Sequence, residues 1–420
     1  MNMTLLSRYL PNIGKNIRQF SNLNNNLTNH CHKSFNGLFD RKDILLRKLP
    51  AKMGIQRAVS VESTSCLREE LLCKVADPKK DSVDKVTVVG AGMVGVACAN
   101  ALLFQRISSH VSIVDAFPKK LEGEGMDYCH GSVFLDDPHI EYDTDFCISS
   151  NSKVVIVTVG ARQRKGETRL DLVRRNSEIV KNIIPPLVEY SPNAVFLIVS
   201  NPVDILSWVT WKVSGLPVNR IIGSGCHLDS ARLRCLIRER LGVASKSIHG
   251  FVIGEHGDSQ ACSMYNITEK ARPYNRIPIV CGFIVPLWSG VNVAGVPFRD
   301  ISPNIGLEMD EERWNVITKD VCRAGSAVRC LKGYSNTAIG LCAADITRDI
   351  LRNSQRVKSV STLVQGHHDI CHEIFLSLPC TIGENGVTQV IRMRITEHEK
   401  KMLHNSADIV YNIQKNITPT

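Results

Sequence analysis

Three absences narrow what this 420-residue chain can be. It has no apolar run near the roughly 20 residues that a membrane-spanning helix needs, since runs such as 194–199 are only of strand length. Among its fifteen cysteines there is no CxxC pair. They are scattered, and Cys98, Cys235 and Cys342 sit among apolar neighbours, so a disulfide scaffold is excluded and free thiols in a reducing compartment are expected. Residues 1–39 contain no aspartate or glutamate. Ten Lys/Arg against two acids in residues 1–57 give +8 of the chain's net +10, which leaves the other 363 residues close to neutral. A nearly neutral body carries no nucleic-acid footprint.

The acid-free start is rich in Asn and Ser. It places Leu5, Leu6, Tyr9, Leu10, Ile13, Ile17 and Phe20 at roughly helical spacing around Arg8, Lys15 and Arg18, the composition of a mitochondrial presequence. A disordered basic tail, or a shorter cytosolic form opened by Met53, are the other readings. In each case residues 1–60 stand outside the fold.

From residue 85 onward, short β-branched runs (86–89, 111–114, 154–159, 195–199 and 220–222) alternate with helical segments. Near-continuous apolar strands separated by crossover helices imply a parallel sheet buried on both faces. Ligands of such sheets bind where the loops leave the strands' carboxyl ends. Beyond residue 225 the pattern shifts to longer helices, at 229–241, 311–331 and a last one opened by a capping box of Thr396 and Glu399. Amphipathic strands near 356–364, 373–378 and 387–395 complete a second, α+β domain. Residues 260–284 have neither periodicity, an uncommon feature inside a compact domain.

Gly90-Ala91-Gly92-Met93-Val94-Gly95 is a GxGxxG between a strand and a helix, with Asp115 at the end of the next strand. Gly90 permits the tight turn, Gly92 lets backbone approach a pyrophosphate, Gly95 allows close helix packing, and Asp115 can hydrogen-bond an adenosine ribose. An acid there favours NAD over NADP, whose extra phosphate it would repel. Gly254-Glu255-His256-Gly257-Asp258-Ser259 holds an imidazole on a tight turn, where it could exchange protons. Asp229 and Arg232, three apart at a helix start, could pair with each other. Alternatively, Asp229 orients His256 while Arg232 offers its planar fork to a carboxylate. The charged loop from Gly160 to Arg169 follows a strand of the cofactor domain, where a lid with an arginine could close.

These motifs resemble animal-type L-lactate dehydrogenases of the lactate/malate dehydrogenase family. They are joined by Ser200-Asn201-Pro202-Val203-Asp204, Gly225-Cys226-His227-Leu228-Asp229 and Trp288-Ser289-Gly290-Val291-Asn292, in the family's order over about residues 63–418. The resemblance implies an α/β fold, with a Rossmann-type doubly wound parallel sheet at 85–224 followed by an α+β substrate domain at 225–418. It also implies an arm at 61–84 and a homotetramer, with NAD as cofactor and no metal. The roles it implies are His256 as acid/base, Asp229 as its orienting carboxylate, and Arg169 polarising the reacting carbonyl. Arg232 would clamp the substrate carboxylate, Asn201 would contact substrate and nicotinamide ribose, and Arg162 would contact the pyrophosphate. A neutral Gln163 suits the methyl group of pyruvate, where the malate enzymes carry an arginine, although Arg164 stands beside it.

The chain departs from the pattern in several places. In Gly333-Tyr334-Ser335-Asn336-Thr337, Ser335 keeps the hydroxyl expected near substrate while Thr337 replaces a large indole. His227 stands where an Asn is common; it could perturb Asp229 or, more simply, face solvent. The 260–284 segment interrupts the family pattern, either as a surface loop or as translated non-coding sequence, a question that sequencing the transcript answers. Two other functions stay open: a malate or broader 2-hydroxy acid dehydrogenase, and a catalytically silent subunit of the same fold.

Overall fold

The computed structural model describes residues 84–161, 169–257 and 284–418. The basic extension, nearly all of the 61–84 arm, the lid positions Arg162 and Gln163, and the 260–283 segment lie outside the described residues.

The first half runs β1 (Val86–Val89), α1 (Met93–Phe104), β2 (His110–Val114), α2 (Pro118–Gly131), β3 (His139–Asp143), β4 (Val154–Val157), α3 (Arg169–Tyr190), β5 (Val195–Ile198), α4 (Val203–Ser214) and β6 (Ile221–Gly223). Six strands pair in parallel in the order β3-β2-β1-β4-β5-β6. This is the doubly wound order, with its crossover point beside β1. β1, β4 and β5 are buried along their whole length, which explains the unbroken Val/Ile/Leu/Phe runs of β4 and β5; the one polar residue of β1, Thr87, bonds Ser152. β3 is the polar edge strand, and no apolar run announces it.

The second half contains α5 (His227–Leu241), β7 (Ile248–His249), β8 (Val252–Gly254), β9 (Ile284–Pro286), β10 (Asn292–Val293), β11 (Val296–Pro297), α6 (Phe298–Ile301), α7 (Asn315–Lys332), α8 (Thr337–Leu351), β12 (Arg356–Leu363), β13 (Phe375–Gly383), β14 (Gly386–Val390) and α9 (Glu397–Gln414). Its strands do not form a wholly separate sheet. β12 joins β6 antiparallel through Ser361 and Gly223, and β13, β8, β9 and β14 continue outward to make one eleven-stranded sheet. β7, β10 and β11 form a small second sheet. Ile284, expected within the aperiodic segment, already belongs to β9 and pairs with Gly254.

Two helix starts show local chemistry at work. α9 opens as expected: Thr396 accepts from the Glu399 backbone, and the Glu399 carboxylate reaches back to the Thr396 N–H. α7 starts four residues later than the pattern from 311 suggests. The Asp310 carboxylate accepts the N–H groups of Gly306, Glu312 and Trp314, which satisfies those donors in a turn instead of a helix.

Among the described residues, no helix is long and apolar enough to cross a membrane. Nine of the described cysteines are free, but Cys330 is disulfide-bonded, which corrects the expectation of uniformly free thiols. Spacing along a chain does not reveal which cysteines the fold brings together.

Candidate active site

β1, β4, β5 and β6 are parallel, so their carboxyl ends share one edge of the sheet, and each delivers a functional segment there. At the end of β1, Gly90 has φ +106°, a left-handed conformation open to glycine. A Cβ on Gly95 would lie 1.7 Å from the Gly90 carbonyl oxygen, so helix and turn pack at backbone contact. A Cβ on Gly92 would meet nothing within 4 Å. Gly92 is also the N-cap of α1 and supplies no side chain to the helix's first N–H groups. An open approach to the positive end of a helix fits a pyrophosphate. Asp115 stands over this turn from the end of β2, accepting from Ala91 N at 2.5 Å and from Phe117 N at 2.9 Å. These residues fit a dinucleotide.

The end of β5 leads through Asn201 and a cis Asn201–Pro202 peptide into α4. Asn176, buried on α3, binds this segment: its Nδ2 donates to the Asn201 carbonyl at 2.9 Å and its Oδ1 accepts from Ala161 N at 2.8 Å. It therefore ties the base of the charged loop to the Asn201 turn. Arg169 is the first residue of α3 by its backbone.

The end of β6 turns into α5, and this places Asp229 in the helix's first turn, where the dipole favours an anion. Its side chain is 4 % exposed. His256 arrives from the end of β8, where Gly254 at φ +90° turns the chain. His256 Nδ1 lies 2.6 Å from Asp229 Oδ2, and its backbone N donates to Asp204 Oδ2 at 2.9 Å. Arg232 Nη1 donates to Asp229 Oδ1 at 2.8 Å, the only guanidinium contact among those described. Burial works to raise the Asp229 pKa, but the charges and hydrogen bonds of His256 and Arg232 outweigh it and bring the carboxyl down to about 2. The result is an anion held between the His256 imidazole and the Arg232 guanidinium. Both readings of the Asp229 and Arg232 pair are thus met in part: they bind each other, and Asp229 also grips the imidazole.

Asp204 was not legible as a site residue. It is 1 % exposed on α4 and accepts from both His256 N and Ser361 Oγ, so it anchors the histidine turn to β12. Cys226 also approaches Asp229 and His256 closely enough for a shared metal. Burial, however, pushes its thiol well above the ordinary value, and the sulfur donates to the Gly254 carbonyl, so it is held as a neutral thiol.

His227 does not face solvent. Its Nε2 meets Asp345 Oδ2 at 2.9 Å, and its side chain is only 11 % exposed. Burial lowers its pKa against the opposing pull of Asp345. Asp345 lies 118 residues away on α8, so no local pattern signals the pair. Ser335 is half-buried between α7 and α8, and among the described contacts no hydrogen bond joins it to His256. Thr337 is exposed, directly after the N-cap Asn336 that accepts from its N–H.

The chain matches the family model described as the lactate/malate dehydrogenase NAD binding domain over residues 84–223. It matches the lactate/malate dehydrogenase alpha/beta C-terminal domain over residues 226–279 and 281–419. It is 46% identical over 353 residues to the L-lactate dehydrogenase C chain of Mus musculus, covering 84% of this chain and 99% of the relative. The L-lactate dehydrogenase B chain of Squalus acanthias is 46% identical over 352 residues, covering 84% of this chain and 98% of its own. The A chain of Ambystoma mexicanum is 45% identical over 354 residues, with 84% and 99% covered. With a glycine turn shaped for a dinucleotide and two domain models matched end to end, the chain belongs to the lactate/malate dehydrogenase family and carries its NAD-binding domain.

Proposed function

We propose that this protein is an NAD-dependent L-lactate dehydrogenase, interconverting pyruvate and L-lactate. The observation that carries the reading is the buried Asp229 carboxylate holding His256 at 2.6 Å and Arg232 at 2.8 Å, on the sheet edge that bears the glycine turn. The names of the similar relatives support lactate as the substrate class.

NAD, when bound, supplies the hydride acceptor or donor. In pyruvate reduction His256 gives a proton to the ketone oxygen. Its Nδ1–H stays on Asp229, so the exchanging proton is the one on Nε2, and the anionic Asp229 stabilises the imidazolium. Arg232 pairs its remaining guanidinium edge with the substrate carboxylate. The family pattern assigns Arg169 to polarising the carbonyl, Asn201 to the substrate and nicotinamide ribose, and Arg162 to the pyrophosphate. It assigns Gln163 to the pyruvate methyl group, where a neutral side chain would reject a second carboxylate by leaving it without a partner. The same pattern assigns the Ser335 hydroxyl a place near the substrate. The paired Asp229 and His256 also favour an active enzyme over a silent subunit.

Large exposed apolar side chains, among them Phe134 and Leu331 at 84 % and 87 % exposure, support assembly into a homotetramer through the arm at 61–84. The acid-free residues 1–39 support import into the mitochondrial matrix, and a start at Met53 would give a cytosolic form. The activity is tested by incubating purified protein with NADH and pyruvate and resolving the product on a chiral column. L-lactate is expected; D-lactate, or no product, overturns the assignment.

A further inference from the structure

A second concentration of donor groups lies at the other end of the sheet. His110 opens β2 and His139 opens β3, and the two are direct partners in the parallel register. Because the glycine turn follows the carboxyl end of β1, these strand starts lie at the edge opposite the NAD crevice. Glu141 is two residues beyond His139 and so projects from the same face of β3. The imidazoles meet edge to face with centroids 4.3 Å apart. His110 Nε2 is 3.2 Å from Glu141 Oε2, and His139 Nε2 is 3.1 Å from Oε1. The ligating atoms of all three residues lie within 4.8 Å of one another.

We propose that His110, His139 and Glu141 form a site for a divalent transition metal, with Zn²⁺ the best match. Two imidazole nitrogens and a carboxylate oxygen are a zinc donor set, and a half-exposed His139 leaves solvent access for a water as fourth ligand. Bonds of about 2.0–2.2 Å in a tetrahedron place donors roughly 3.2–3.6 Å apart, which the two histidine–carboxylate spacings of 3.2 and 3.1 Å nearly match. One nitrogen points to such a ligand independently. His110 Nε2 is buried and has Glu141 Oε2 at 3.2 Å as an ion-pair contact, without the alignment of a full hydrogen bond. A buried ring nitrogen so placed gains from a better-aligned ligand.

The surroundings fix the carboxylate. Ser112 Oγ donates to Oε2 at 2.8 Å and Lys85 Nζ at 2.9 Å, which together orient Glu141 as outer contacts orient metal ligands. The Lys85 charge opposes a cation, so the site is weaker than one built for structural zinc. A metal here clamps the edge strand β3 to β2.

The test is titration of Zn²⁺ into the full-length chain against a chromophoric zinc indicator, repeated for His110→Ala/His139→Ala and for His256→Asn. The double variant is expected to lose one metal equivalent and the His256 variant none. Co²⁺ in place of Zn²⁺ is expected to give a ligand-field absorption that the double variant lacks. Equal stoichiometry in wild type and double variant overturns the proposal, as does loss of that equivalent from His256→Asn instead. Should the double variant fail to fold, His139→Gln at the more exposed ring serves alone. It is expected to bind Zn²⁺ at least about tenfold more weakly, and unchanged affinity overturns the proposal.

Discussion

Pyruvate reduction by His256→Ala is expected to be slower than wild type by about 10³-fold or more in kcat, with NADH binding nearly unchanged. The side chain lies at the end of β8 against Asp229, whereas the dinucleotide cradle is built from β1, α1 and Asp115. Removing the imidazole therefore takes away the proton donor and leaves the cradle intact. Alanine also strips Asp229 of one of its two side-chain partners and keeps the backbone hydrogen bond to Asp204, so the turn itself is retained. Turnover followed by NADH absorbance, and binding followed by NADH fluorescence, separate the two effects. Substantial remaining turnover refutes the assigned role, and loss of NADH binding refutes the separation of cradle and acid.

Asp229→Asn is expected to lower kcat/KM for pyruvate by about 10²–10³-fold, because the neutral amide keeps the shape but no longer stabilises an imidazolium. It also carries a stability signature. The folded carboxyl, at about 2, lies below its ordinary value of 3.8. Its ionised form therefore contributes stability above roughly pH 4, and that contribution is lost as pH falls through 2. For this nearly inaccessible side chain the contribution is about 2 kcal/mol. Chemical denaturation of wild type between pH 5 and pH 2.5 should show this loss superimposed on that of other carboxylates. The variant should lack it. An equal pH dependence in the two proteins would mean that Asp229 is not held as described.

What could be read from the sequence, and what could not, follows from how far apart the interacting residues lie. β1, β2, β4, β5 and β6 were legible because strands buried on both faces are mostly apolar. β3 was not, since His139, Glu141 and Asp143 belong to a half-exposed edge. Nor was the continuation of the first sheet into the second half, which depends on one bridge between Gly223 and Ser361. The glycine turn and the capping box at Thr396 were legible because their partners are a few residues away. Asp229 and His256 were singled out by their motifs, but the 2.6 Å contact across 27 residues is a product of the fold. Asp204 is legible in sequence only as part of a motif, with no role of its own, and no pattern singles out Asn176. Each is a long-range anchor, and neither Ser361 nor the Asn201 carbonyl announces itself in sequence.

The most direct test is the ratio of kcat/KM for pyruvate to that for oxaloacetate, measured in parallel with NADH on the purified full-length protein. A lactate dehydrogenase with a neutral Gln163 and the Asp229, His256 and Arg232 group described here favours pyruvate clearly. A ratio favouring oxaloacetate, or no turnover with either acid, would contradict it.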